Sequence, residues 1–300
     1  MGPTASGKTD LAIFLRKNFN IEIISVDSVM LYKEFNIGSA KPSIKTLRDF
    51  PHKMVDILEP YEKYSVAEFY KNLLVHINNA HYSNKTPLLV GGSMMYFKTF
   101  FSGGLSKLNH VSSDIRKKVS DMLDSNGLPY LYSYLKKIDS KSLEKIHFND
   151  QYRIVRMLEI YFSNNKKPSD ILKKCSENVQ SFDNLNLSIM PIDRKILHIN
   201  IEDRLNEMLD KGLINEVLEL KKNYLNLDLP AMSTIGYKQI NQYLDGDIDI
   251  NVMKNKMLFA TRQLAKRQIT WLRHLDATTV YTLTDYDNIK SRVSYFLEDT

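Results

Sequence analysis

The sequence holds one cysteine, Cys175, in 300 residues, so no internal disulfide can form and the chain suits a reducing compartment. Its seven histidines do not gather around that cysteine at ligand spacing, which argues against a structural zinc site. No apolar run approaches the roughly 20 residues that a membrane helix needs. Met1–Lys8 carries no apolar stretch of the kind found in a signal peptide. A cytoplasmic protein without membrane attachment is the expectation. Low-complexity segments and internal repeats are absent too, which argues against disorder and repeat architectures.

Nor is there an acidic excess. Lysine and arginine number 41 against 35 aspartates and glutamates, giving a formal charge of +6 and a pI near 9.0. This balance admits a polyanionic partner but fits a basic enzyme of small molecules equally well. Hydrophobic residues at 43% and charged residues at 25% are ordinary for a globular chain, and the length allows one large domain or two modest ones.

What is present is an alternation of strand and helix in the first half. Residues 8–18 read as a helix, Ile21–Val26 as a buried strand, Lys53–Ile57 as a second strand and Pro87–Val90 as a third, closed by Gly91-Gly92. Residues 66–82 are helical, with Ser65 as N-cap and Glu68 three residues on. Such alternation implies a parallel sheet with helices on its faces. Between about 112 and 180 the strand signal vanishes, and helical patterning covers 113–124, 128–138 and 150–162, with breaks at Gly127 and Pro168. Leu187–Ile192 restores a strand, helices follow at 194–210, 213–224, 234–244 and 252–274, and Thr279–Leu283 is a last strand before a terminal helix. The expected fold is α/β: a P-loop NTPase-like parallel sheet flanked by helices, built from 1–111 and 184–300, with 112–183 as a helical insertion domain.

Gly2-Pro3-Thr4-Ala5-Ser6-Gly7-Lys8-Thr9 fits G-x-x-x-x-G-K-[ST] at every fixed position. The glycines let backbone N–H groups turn around phosphate oxygens, and the start of the following helix adds its positive end. Lys8 can neutralise a terminal phosphate, and the Thr9 hydroxyl can ligate Mg²⁺. The motif implies a bound di- or triphosphate, as in ATP-binding proteins, without saying which. A phosphate loop ordinarily follows a strand, yet this one starts at Gly2. The expected sheet therefore lacks its first strand, through a late start or a truncation, and loses core and backbone pairing with it.

The flanking strands narrow the options. ATPases and GTPases carry a second strand ending in an Asp that holds Mg²⁺, but Leu88-Leu89-Val90 ends in Gly91-Gly92-Ser93. The strand that ends in a carboxylate is Ile21–Val26, followed by Asp27, which is either a magnesium partner or a base. No arginine-rich lid of the kind a nucleotide kinase needs is apparent.

Several motifs then fall in order. They are Gly2–Thr9, Ile24-Ser25-Val26-Asp27-Ser28, Tyr32, Ile37-Gly38-Ser39-Ala40-Lys41-Pro42, Pro51-His52, Asp56-Ile57, Leu89–Tyr96, Ile235-Gly236-Tyr237 and, most densely, Ala260–Arg273. Together they resemble the tRNA dimethylallyltransferases, the IPP transferase family, over essentially the whole chain less the first strand. The resemblance implies that the loop holds the diphosphate of dimethylallyl diphosphate rather than a nucleotide, with Mg²⁺ on Thr9. It implies that a tRNA adenine flips from its stack into a channel, and that its exocyclic amine attacks the allylic carbon as diphosphate departs. Asp27 would accept the amine's proton. Lys8 and Arg204, in Ile201-Glu202-Asp203-Arg204-Leu205, would oppose the leaving charge. Ser93 stands where the family more often has Thr and keeps a hydroxyl for a tRNA or transition-state contact. Each has a plain structural alternative: a loop cap for Asp27, a solvated helix face for Arg204, a helix cap for Ser93. His52 reads as structural.

The last long helix, read at about 100° per residue, gathers Met257, Leu258, Leu264, Ala265, Ile269, Trp271 and Leu272 on one packed face, with Arg262, Lys266 and Arg273 beside it. A basic stripe suits RNA phosphates, and a solvated basic face is the alternative. By resemblance the tRNA contacts are Asp27, Ser28, Val29, Met30, Ser93, Gly236, Tyr237, Lys238, Arg262, Lys266, Arg267 and Arg273. The insertion adds Arg116, Tyr152, Arg153 and Arg156 against the anticodon stem-loop. Tyr32, Tyr96 and Tyr237 could stack on splayed bases or simply pack. The expected activity is that of a monomer transferring a dimethylallyl group to N6 of the adenine 3′ to the anticodon in tRNAs that read U-initial codons. The competing readings are a small-molecule P-loop kinase, an adenylate prenyltransferase acting on free nucleotides, and a non-catalytic RNA-binding module.

Overall fold

The computed structural model describes residues 1–105, 111–172, 182–275, 278–282 and 284–299. Cys175 and Leu283, named above, lie outside them. Two compact units form the chain: Met1–Lys98 with Phe182–Thr300, and Thr99–Ser181.

In the first unit, α1 (Lys8–Asn18) leaves the phosphate loop and buries Leu11, Ala12 and Leu15 on one face. β1 (Ile21–Val26) is buried at every position but Glu22, as a strand covered on both faces requires. α2 (Ile44–Asp49) is short, and the Ser43 side chain accepts from the Thr46 amide to cap it. β2 (His52–Lys53) pairs in parallel with β1. The strand predicted over Lys53–Ile57 stops there because Met54 and Asp56 take φ of 64° and 55°, which turns the chain out of the extended conformation. α3 (Val66–Tyr82) carries the predicted Ser65–Glu68 capping box. β3 (Thr86–Gly91) pairs in parallel with the other edge of β1, giving the order β2-β1-β3. α4 (Met94–Phe101) follows at once.

The second unit is helical. α5 (Ser113–Ile138) is broken at Gly127, whose φ of 74° and ψ of 169° no helix accommodates. α6 (Gln151–Asn164) and α7 (Pro168–Ile171) follow, and Val119, Leu131, Leu135, Leu143, Ile154 and Leu158 form the core. Asp139 is buried and clips this unit together. It accepts from the amides and hydroxyls of Ser142 and Ser169. Burial works to raise its carboxyl, but those bonds outweigh it and hold the group below the ordinary carboxylate range.

The chain of the first unit resumes with β4 (Asn186–Ile189), α8 (Arg194–Asp210), α9 (Leu213–Asn223), α10 (Tyr237–Leu244), α11 (Ile250–Arg273), β5 (Thr278–Tyr281) and α12 (Tyr286–Glu298). β4 and β5 pair in parallel as a separate two-stranded sheet. No strand precedes the phosphate loop among the described residues. Met1 instead lies along β4: its amino group donates to the Leu187 carbonyl at 2.8 Å, and its carbonyl accepts from the Ile189 amide at 2.8 Å. β3 has a strand partner on one side only among the described residues, and none of Thr86–Val90 is fully buried despite the run Leu88-Leu89-Val90. The architecture is a P-loop-like α/β fold with a helical unit inserted.

Candidate active site

The carboxyl ends of β1 and β3, the start of α1, and inward faces of α8 and α11 surround a cavity of about 750 Å³, a size suited to a small-molecule ligand. The two strand ends are pinched together. A Cβ on Gly91 would stand 2.0 Å from the Val26 carbonyl oxygen, so only glycine fits there. Thr4 to Thr9 form one wall. Ala5 and Gly7 have φ of 58° and 67°, left-handed positions that curl the loop.

Charge is the dominant feature of this wall. Lys8 Nζ donates to the Pro3 carbonyl at 2.5 Å. Its pKa is lowered from 10.5 to about 7, first by burial and then by the neighbouring charge of Arg204, with Asp27 opposing. Burial also lowers Arg204, again against the pull of Asp27. Ser6 Oγ is buried in the loop with no hydrogen-bond partner among the described residues. Two desolvated cations, one carboxylate and an unsatisfied hydroxyl make a site suited to an anion.

Asp27 divides its work between two oxygens. Oδ1 accepts from the Val29 amide at 2.8 Å and the Met30 amide at 3.1 Å, the loop-cap geometry. Oδ2 has no hydrogen-bond partner among the described residues, and the residue lines the cavity. Capping and proton acceptance are therefore compatible in one side chain.

Lys8, Thr9, Asp27, Ser93 and Arg204 all line this cavity, with Ser28, Val29, Met30, Gly236 and Arg267. Gly2 and Pro3 do not; a Cβ at Gly2 would meet Ser6 Oγ at 2.6 Å, which fixes glycine there for packing. Ser93 opens α4 with its backbone, its carbonyl accepting from the Tyr96 and Phe97 amides. Tyr237 is not at the cavity. It is fully buried, edge-on to Phe35, with its hydroxyl donating to Glu216 at 2.6 Å. Tyr32 is buried against Phe35, and Tyr96 lines the cavity while stacking on Phe69. On α11, Lys266 and Arg273 are exposed, whereas Arg262 is paired with Glu202 at 3.1 Å. Lys238 is exposed on α10. In the helical unit Arg116 and Tyr152 are exposed, Arg153 pairs with Asp150 and Arg156 with Glu159.

Four contributors are not marked as site residues by the sequence. Gln268 is buried on α11 and clasps the loop: its Oε1 accepts from the Thr4 amide at 2.8 Å and its Nε2 donates to the Gly92 carbonyl at 2.9 Å. Glu216 accepts from the amides of Asn36, Ile37 and Gly38, which fixes the segment whose Gly38 and Ser39 line the cavity. Trp271, assigned to the packed face of α11, lines the cavity as well. His52 also lines it; its Nδ1 lies 2.7 Å from the Phe50 carbonyl and must carry the proton, while Nε2 is buried without a partner among the described residues. Burial lowers the pKa of His52, which keeps the ring neutral and Nε2 an acceptor.

The clasp yields a direct expectation. Gln268→Leu orphans the Thr4 N–H and the Gly92 carbonyl, each worth about 1–3 kcal/mol when left buried and unpaired. Thermal unfolding should show a loss of about 2 kcal/mol or more, and donor binding should weaken with it. An unchanged melting temperature would remove Gln268 from the support of the loop.

Comparison with known proteins places this cavity in context. The IPP transferase family model matches residues 30–275. That match begins just after Asp27, but similar structures extend across the loop. A full-length tRNA isopentenylpyrophosphate transferase from Bacillus halodurans is 29% identical, with a TM-score of 0.72 over 99% of this chain and 95% of its own. A tRNA delta(2)-isopentenylpyrophosphate transferase from Staphylococcus epidermidis is 30% identical, with a TM-score of 0.69 over 100% of this chain and 98% of its own. A eukaryotic dimethylallyltransferase acting on tRNA is 28% identical, with a TM-score of 0.78 over 98% of this chain and 76% of its own. A family match of that length, joined to alignments that run through the phosphate loop, leaves one assignment: the chain belongs to the IPP transferase family.

Proposed function

We propose that this chain transfers a dimethylallyl group from dimethylallyl diphosphate to N6 of the adenine 3′ to the anticodon, in tRNAs that read U-initial codons. The observation that carries the reading is the shared cavity: a phosphate loop with a desolvated lysine, Arg204 and Asp27, whose Oδ2 has no hydrogen-bond partner among the described residues, face one space. The amine nitrogen bonds to the allylic carbon, the carbon–oxygen bond to diphosphate breaks, and the amine proton passes to Asp27. Lys8 and Arg204 oppose the charge that builds on the departing diphosphate. The loop's donors suit a hard cation as well: Thr9 lines the cavity, and Ser6 Oγ is unsatisfied. Mg²⁺ held by Thr9 and diphosphate oxygens would supply further charge neutralisation. Residues 112–183, with exposed Arg116 and Tyr152 and with Arg153 and Arg156, serve the anticodon stem-loop from a core of 1–111 and 184–300.

The test is incubation with dimethylallyl diphosphate, Mg²⁺ and unmodified tRNA, followed by nucleoside mass spectrometry. Prenylated adenosine next to the anticodon is expected; its absence with active protein would sink the reading.

The depressed Lys8 pKa makes a second expectation. With a pKa of about 7 in the free protein, Lys8 is mostly neutral at pH 8. A bound diphosphate favours the ammonium form and raises that pKa, so binding at pH 8 takes up close to one proton. The donor's own phosphate, with a second pKa of about 6, is already ionised there. By linkage, donor affinity is highest between about pH 6 and 7 and falls as pH rises above about 7, by at most about tenfold per unit. Calorimetry at pH 8 in two buffers of different ionisation enthalpy measures the uptake. A value near zero would show that Lys8 is already charged before the donor binds.

A further inference from the structure

α11 carries six cations, Lys254, Lys256, Arg262, Lys266, Arg267 and Arg273, and no carboxylate in 24 residues. At about 100° per residue, Lys256, Phe259, Lys266 and Arg273 share an arc of roughly 100°, and all four are exposed. Phe259 is the anomaly on this face, at 65% exposure. It does not line the catalytic cavity. With Val252, Asn255 and Lys256 of α11 and Lys238 and Gln242 of α10, it lines a shallow groove that contains no acidic residue among the described residues.

The surroundings of Phe259 select its partner. A second copy of this chain would bring the same cations against themselves, which opposes a self-complementary contact. A duplex keeps its base faces stacked inside and cannot present one to the ring. An unpaired nucleotide offers both complements: a π-face for Phe259 and phosphates for the flanking lysines. We propose that this groove holds an unpaired nucleotide of the RNA substrate, with its base on the Phe259 ring and its adjoining phosphates on Lys238 and Lys256. The side-chain amides of Gln242 and Asn255 stand at the groove wall to meet the base edge. The inference rests on the tRNA reading and adds to it a contact outside the reacting cavity.

Filter binding of unmodified tRNA and of heparin, a polyanion without bases, separates ring from charge. Phe259→Ala should weaken tRNA binding about tenfold or more, leave its salt slope unchanged, and leave heparin binding unchanged. Phe259→Tyr should restore tRNA affinity. Lys256→Ala should weaken both ligands and reduce the tRNA salt slope by about one. Affinity within twofold of the parent in Phe259→Ala overturns the proposal. So does an equal loss for heparin, which would report a general disturbance of the helix. So does a parent that sediments as a dimer which Phe259→Ala converts to a monomer with RNA binding intact, because the face is then an interface between copies. Prenyl transfer by the parent is assayed in parallel. Transfer with an RNA affinity indifferent to Phe259 sinks the groove alone, whereas absence of transfer sinks the tRNA reading and the groove with it.

Discussion

Asp27→Asn should lower the rate of prenyl transfer about a thousandfold while leaving tRNA binding near that of the parent. The magnitude is that of losing a positioned general base, typically 10² to 10⁴. Asparagine is the informative substitution because of how Asp27 is held. Its Oδ1 accepts two backbone amides, from Val29 and Met30, and an asparagine oxygen can accept both. The side-chain amide then replaces Oδ2, the oxygen without a partner among the described residues, and removes its basicity. Asp27→Ala removes cap and base together and adds the cost of two unpaired amides. If Asp27 were a loop cap only, Asn would behave as the parent and Ala would be impaired. If it is the base, the two variants should be similarly slow and differ in melting temperature. Single-turnover transfer at saturating donor separates these outcomes; more than a tenth of parental activity in Asp27→Asn removes Asp27 from the proton transfer.

What could be seen in the sequence, and what could not, divides by distance along the chain. The phosphate loop and the Ser65–Glu68 capping box are local patterns, and their geometry follows from residues a few positions apart. β1 was legible because an unbroken apolar run means a strand covered on both faces. The second strand was overextended because Met54 and Asp56 look extended in sequence, and nothing local announces their positive φ. Gln268 and Glu216 were invisible as site residues for a different reason. Their partners Thr4 and Gly38 lie 264 and 178 residues away, and no periodicity encodes such a contact. A glutamine on a packed helix face was the available hint for Gln268, since a buried amide needs partners. Tyr237 shows the converse. Beside a glycine and a lysine, stacking and packing are equally open to it in the sequence, and Phe35 and Glu216 enclose it.

Arg204→Met should cost about 10² to 10³ in the maximal rate, the usual range for one stabiliser of developing negative charge in a water-excluded site. The structure argues against a solvated role for this arginine: it lines the cavity, and burial depresses it, with Asp27 as the largest opposing influence. Methionine keeps an apolar stem of similar length, so packing on α8 is largely retained. The ground-state diphosphate also meets Arg204, so donor affinity should fall, but by less than the rate, because charge on the bridging oxygen grows only as the allylic bond breaks. An increase in KM with an unchanged maximal rate would mean that Arg204 binds substrate and transition state equally. A second signature follows from Lys8, whose pKa is lowered partly by the charge of Arg204. Removing that charge lets the Lys8 pKa rise, so the pH above which donor affinity declines should move upward from about 7. A slower enzyme whose binding profile keeps its original break would uncouple the two cations, and with them the view that Arg204 holds the Lys8 pKa down.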